Sequence, residues 1–193
     1  MSVVIAICGI REKETYTMPH VLIVIGSARK GRVADKILQH IQKDLEGRTE
    51  VTITIADLKE INLPFFDNEN SPASPDYAPT NQHVLEWQKL VSESDSVIFI
   101  TPEYNHTLSA IQKNAFDSIY AEWKNKPIAI VAYGWSGGSQ SIKTLNDLIP
   151  HIKAIFTPYP AQLTFMKDIN PDGTILDAPS VAEKIKKTLD EIV

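Results

Sequence analysis

Three short segments hold the residues whose types and spacing could do chemistry. The first, Gly26-Ser-Ala-Arg-Lys-Gly-Arg32, combines two glycines, a hydroxyl and two guanidinium groups. Small residues let a backbone curl around an anion, and a helix that begins there adds amide donors and the positive end of its dipole. Ser27, Arg29, Arg32 and Val33 are therefore candidate residues of a phosphate cradle. The spacing is not G-x-G-x-x-G, so it carries no dinucleotide fingerprint. It approaches G-x-x-x-x-G-K-S/T with Gly26 and Gly31 in register, but Arg32 stands where lysine belongs. Val33 also replaces the hydroxyl that would hold magnesium, which leaves a phosphate site without a metal.

The second segment is Thr101-Pro-Glu-Tyr-Asn-His-Thr107. Pro102 stops the strand ahead of it, and the backbone amides that follow are expected to be free for a ligand edge. Tyr104 offers an aromatic face or edge, so Pro102, Glu103, Tyr104 and Asn105 are candidates. The third is Tyr133-Gly-Trp-Ser-Gly-Gly-Ser139, whose glycines permit positive φ and close approach of a flat ligand. Its candidates are Tyr133, Ser136, Gly137 and Gly138. The same residues read G-x-S-x-G, the pattern of a hydrolase nucleophile elbow. The acid and histidine after Ser136 would be Asp147 and His151, both on or beside the helix that Ser136 precedes. Neither is expected to reach back over the hydroxyl, so a serine hydrolase ranks third among the readings.

These segments need elements to position them. Residues 21–25 form an apolar run, and 32–45 place Val33, Ile37, Leu38, Ile41 and Leu45 on one helical face. Residues 51–55 alternate as a strand, and the polar stretch 67–80 is a surface excursion. Asn81 or Thr80 can cap a helix through Ser94. Strands at 96–101, 127–133 and 152–157 then alternate with helices at 110–122, 139–149 and 179–192. This β-α alternation predicts an α/β fold with parallel strands, right-handed crossovers and helices on both faces. The expected architecture is a flavodoxin-like three-layer sandwich with a five-stranded sheet in the order 2-1-3-4-5. The ligand belongs beyond the carboxyl ends of the strands, where the three segments fall.

Composition sets the outer limits. Apolar residues at 43% and charged residues at 22% fit a globular domain rather than a disordered chain. Lys and Arg number 19 against 24 Asp and Glu, a net charge of −5. Without a basic stripe no nucleic-acid partner is expected. No apolar run reaches the ~20 residues of a membrane span, and the apolar start of the chain lacks the marks of a signal peptide. Cys8 is the single cysteine, which excludes an internal disulfide and fits a reducing, cytoplasmic setting. It reads as a small hydrophobe. The five histidines show no metal-ligand spacing. Residues 1–19 read as an extension ahead of one domain at 20–193, either an added strand or arm or a segment foreign to that domain.

At the three segments the sequence resembles the NAD(P)H-dependent FMN reductase family, which includes quinone, azo-dye and chromate reductases. The specific blocks are Pro102-Glu-Tyr-Asn105 and Lys113-Asn-Ala-Phe-Asp117, preceded by Gly26-Ser-x-Arg29 and Leu63-Pro-x-Phe66 and followed by the glycine turn. The chain departs from the family pattern at Arg32 and Ala34, where relatives often carry Ser and Asn, and at Ser109-Ala110, where Pro-Gly is common. The resemblance implies non-covalent FMN with its phosphate on Ser27 and Arg29, and its ring against the backbone of 102–105 and the Gly137-Gly138 turn. It implies NAD(P)H as donor of hydride, a small-molecule electron acceptor, and no catalytic side chain beyond the cofactor's own chemistry. It also implies a homodimer or homotetramer in which aromatic residues close a neighbour's site. Phe116, Tyr120 and Trp123 are candidates for that role or for the core. The competing class is a flavodoxin-type FMN carrier, which the acidic charge would suit.

Overall fold

The computed structural model describes residues 18–48 and 51–193. Cys8 and nearly all of the expected extension at 1–19 lie outside the described residues. The strands with the most continuous apolar runs occupy the middle of the sheet. β1 (His20–Ile25) and β3 (Ser96–Pro102) are flanked by β2 (Thr52–Asp57) and β4 (Pro127–Gly134), all parallel, in the order β2-β1-β3-β4-β5. Every residue of β3 is buried, as a strand covered on both faces requires.

Alternate residues of each strand feed two cores. Leu22, Val24, Val97, Phe99, Ile128 and Ile130 face one, under α2 (Leu58–Ile61), α3 (Gln82–Ser92), α4 (Ala110–Asp117) and α5 (Ser139–His151). Val21, Ile23, Ile98, Ile100, Ala129 and Val131 face the other, under α1 (Ala34–Glu46) and α6 (Ala178–Leu189). The three layers and the parallel order are those expected.

The far edge differs. β5 is only Ile155–Phe156, and β6 (Ala161–Thr164) continues along the same side of β4, pairing with residues 131–134. Pro158 and Pro160 carry no N–H for the ladder, so the strand expected at 152–157 shrinks to two residues, and the edge resumes beyond the prolines as a sixth strand where five were expected. The helix expected at 110–122 stops at Asp117. There the Ser118 hydroxyl donates to the Asn114 carbonyl at 2.7 Å, and a 3-10 turn follows at Ala121–Trp123. Phe116 and Trp123 pack with Phe99 in the core at ring separations of 4.8 and 6.2 Å. Both are fully buried, which removes them as residues that could close a neighbour's site.

The excursion at 67–80 has no helix or strand and is held by Asn and Ser side chains on their own backbone. Its Tyr77 hydroxyl donates to the Ser118 carbonyl at 2.6 Å.

The loop after β6 is fastened by Asp168, which is buried and accepts from Lys184 Nζ at 2.6 Å and from the Thr164 amide at 2.8 Å. Burial pushes the Asp168 carboxyl up, but these hydrogen bonds outweigh it and hold the group below the usual carboxylate range. A depressed carboxylate stabilises the fold above its unfolded value near 3.9, and that stability is lost as pH falls through the folded value. Asp168→Asn is therefore expected to cost roughly 2 kcal/mol at neutral pH and to flatten the acid limb of stability. Urea titrations at pH 7 and pH 3 check this; an equal loss at both would contradict it.

Candidate functional site

Because the strands are parallel, the loops after β1, β3 and β4 leave the same edge of the sheet. They meet at a cleft of about 220 Å3. Of the candidate residues, Ser27, Arg29, Arg32, Val33, Pro102, Glu103, Tyr104 and Tyr133 line it. Asn105, Ser136, Gly137 and Gly138 fall outside the lining but in the loops that form it. Gly31, Gly134, Trp135, Phe165 and Pro171 complete it.

In the first loop, Ser27 is buried and its Oγ lies 2.7 Å from the Tyr104 Oη, linking two loops across the cleft. The Ser109 hydroxyl donates to the Gly26 carbonyl and fixes this loop to the start of α4. The two arginines play different parts. Arg32 donates through Nη1 to the Ser27 carbonyl and to Asp57 Oδ1, each at 2.8 Å, through Nη2 to Asp57 Oδ2, and through Nε to Asp35. The Asp57 hydrogen bonds raise the guanidinium's pKa against the opposing effect of burial. Burial pushes the Asp57 carboxyl up, and the Arg32 and Lys59 contacts more than reverse it. Arg32 is thus matched by carboxylates and acts as a tie between the loop and the end of β2. Arg29 and Lys30 are both exposed and make no ion pair among the described residues, but only Arg29 lines the cleft, so it is the cation available there. The N-cap of α1, Val33, offers no side-chain acceptor, so the first-turn amides of α1 have no side-chain cap.

The second loop is tighter than the sequence suggested. Tyr104 and Thr107 exchange backbone hydrogen bonds of 2.9 and 3.0 Å around Asn105 and His106, both at positive φ (47° and 64°). This is a two-residue hairpin turn of the primed kind, held by non-glycine residues. The Glu103 amide donates to the Tyr133 carbonyl at 3.2 Å. The amides at 103 and 104, expected to be free, are therefore consumed. Among the described residues only those of Asn105 and His106 lack a partner in this turn.

In the third loop the Ser136 hydroxyl donates to Glu103 Oε2 at 2.6 Å. No histidine among the described residues bonds it. His151 closes α5, roughly 18 Å along the helix from its start. A hydrolase triad is not assembled. Tyr133 is buried, and burial pushes its phenol up to about 12, against the pull of Ser27 and the arginines, so it stays protonated at neutral pH.

The remaining blocks are supports. Asn114 Nδ2 donates to the Pro64 carbonyl at 2.8 Å, while its Oδ1 accepts from the Phe66 amide at 3.1 Å. This pins the segment at 63–66 to α4. Lys113 pairs with Asp117 one turn on, at 2.6 Å. Sequence reading missed Phe165, whose ring meets Trp135 edge-on at 5.6 Å on the cleft wall. The available signal was the short run at 161–164, masked by the prolines before it.

The residues present suit a flat, phosphorylated cofactor. A buried hydroxyl, a free guanidinium and a helix start without a side-chain cap stand at one loop, and tyrosine and tryptophan rings line the rest. Among the described residues no group of three His, Cys, Asp or Glu side chains could hold a metal, and no helix is long and apolar enough to cross a membrane.

A family model described as NADPH-dependent FMN reductase matches residues 19–168. An NAD(P)H-dependent FMN reductase of Saccharomyces cerevisiae is 33% identical over 142 residues, covering 68% of this chain and 73% of the relative. An FMN-dependent NADPH-azoreductase of Staphylococcus haemolyticus is 29% identical over 178 residues, 89% of this chain and 92% of the relative. Among solved structures, a flavoenzyme NAD(P)H:(acceptor) oxidoreductase of Paracoccus denitrificans matches with a TM-score of 0.71 at 25% identity, covering 90% of this chain and 97% of that one.

Proposed function

We propose that this chain, which belongs to the NADPH-dependent FMN reductase family, holds FMN in the cleft and passes electrons from NAD(P)H to a quinone, an azo compound or a similar small acceptor. As a member of that family it is an oxidoreductase with FMN as cofactor and NAD(P)H as donor. The carrying observation is the division of labour in the first loop: Arg32 is neutralised by Asp57 and Asp35, while Arg29 faces the cleft uncompensated beside the buried Ser27 hydroxyl.

FMN, when bound, supplies the hydride-accepting ring that no protein side chain can replace. The residues around it place and orient it. Ser27, Arg29 and the first amides of α1 would take the phosphate. The backbone of 102–105, with the free Asn105 amide, and the turn at 134–138 would meet the ring edge. Trp135 and Phe165 would flank the open side, where donor and acceptor bind. The acceptor class is proposed from that aromatic wall together with the azoreductase likeness. A homodimer or homotetramer is the assembly we propose.

If donor and acceptor share one exposed face, they cannot bind together. Double-reciprocal plots of NAD(P)H oxidation at several quinone concentrations are then expected to run parallel, with the donor's oxidised product leaving before the acceptor enters. Intersecting lines would require a ternary complex and sink the shared-face layout. A flavodoxin-type carrier rests on the net charge of −5 alone, and the isolated protein would then fail to oxidise NAD(P)H.

A further inference from the structure

Glu103 is the one carboxylate lining the cleft among the described residues. Its Oε2 accepts from the Ser136 hydroxyl at 2.6 Å and from the Gln140 amide at 3.0 Å. Gln140 is the second residue of α5, and the N-cap of that helix, Gly138, has no side chain with which to cap it. The first amides of a helix are unpaired and carry its positive end. Glu103 therefore caps α5 from a different strand and clasps the turn at 134–138 to the loop after β3.

Capping alone does not call for a charge, since a neutral side-chain oxygen would satisfy the same two donors. The charge has a consequence of its own in a cleft that is partly shielded from water. From this juxtaposition we infer that the charge of Glu103 holds the reduction potential of the bound flavin low. The inference rests on the FMN reading above. Transfer of one hydride brings two electrons and one proton to the flavin ring, and the nicotinamide loses the same hydride and becomes its oxidised cation. The ring thus gains one negative charge until a further proton arrives from water. The positive end of α5 favours that added charge, and the Glu103 carboxylate opposes it. With both present the two effects offset in part; with a neutral group at 103 the helix end acts alone and the ring is reduced more readily. A low potential keeps the reduced ring a strong donor to the second substrate.

The test uses the wild type, Glu103→Gln and Ser136→Ala, each loaded with FMN and checked for folding by circular dichroism. FMN affinity is read by fluorescence titration, and the reduction potential by equilibration with a reference dye. Glu103→Gln keeps the shape and an acceptor oxygen. It is expected to bind FMN within about threefold of wild type while its reduction equilibrium shifts about tenfold toward the reduced form, roughly 30 mV for a two-electron couple. Ser136→Ala keeps the carboxylate and is expected to show no such rise. An unchanged or lower potential in Glu103→Gln would overturn the inference while leaving FMN binding intact. So would an equal rise in both variants, or a loss of FMN affinity beyond tenfold in Glu103→Gln, because turn geometry rather than charge would then explain the residue. A wild type that takes up no FMN would overturn the cofactor reading itself, and this inference with it.

Discussion

Replacing Arg29 by alanine is expected to weaken FMN binding ten- to a hundredfold and to leave riboflavin binding nearly unchanged. Hydrogen bonds to charged groups contribute roughly 1.5–3 kcal/mol each, and every 1.4 kcal/mol is tenfold in affinity. Arg29 is exposed and makes no ion pair among the described residues, so its removal breaks nothing in the fold. Arg32 provides the contrast. Its guanidinium ties the Ser27 carbonyl to Asp57, so Arg32→Ala strands a partly buried carboxylate and loosens the loop itself. That variant should lose FMN and thermal stability together, where Arg29→Ala loses only FMN. Fluorescence titration with both flavins separates phosphate from ring. An equal loss for riboflavin, or no loss for FMN, would show Arg29 to be an ordinary solvated residue.

The second large effect belongs to Gly138. Its φ is +76°, and a Cβ there would lie 2.5 Å from the Ala132 Cβ and 3.0 Å from the Tyr133 amide nitrogen. Gly138→Ala therefore combines a left-handed backbone, about 1–2 kcal/mol for an L-residue, with overpacking of about 1–3 kcal/mol. For a chain of this length the sum corresponds to a fall in Tm of roughly 5–15 °C. Gly31 is the internal control: its φ is +62°, but a Cβ there meets nothing within 4 Å. Gly31→Ala should show the backbone cost alone, a shift several degrees smaller. Thermal melts of both variants check the ranking, and equal shifts would mean that the contact with Ala132 relaxes freely.

The architecture was legible in the sequence wherever burial dictated a pattern. A strand covered on both faces needs a continuous apolar run, and 97–100 reads that way; an amphipathic helix must repeat its apolar face, as Ile37, Ile41 and Leu45 do on α1. The three loops followed, because parallel strands deliver their carboxyl ends to one edge. What stayed hidden depended on contacts between segments distant in the chain. Nothing local marks Arg32 as the partner of Asp57, 25 residues on, so both arginines read alike as phosphate ligands. Glu103 read as one more member of its loop, because its partners Ser136 and Gln140 lie beyond the next strand. The hairpin at 104–107 escaped notice because Asn105 and His106 take positive φ without glycine. The edge strand was misjudged because two prolines split it, and with it went Phe165, the aromatic residue at the end of β6.

The central claim is that the cleft holds FMN and that NAD(P)H reduces it there. The most direct measurement is the visible absorption spectrum of the purified protein supplied with FMN and freed of excess by gel filtration. The flavin bands are expected to travel with the protein, to bleach when NADPH or NADH is added without oxygen, and to return when a quinone follows. Denaturation should release FMN, since no covalent bond holds it. A colourless protein that leaves all added FMN behind on the column, or a yellow one that neither nicotinamide bleaches, would contradict the account.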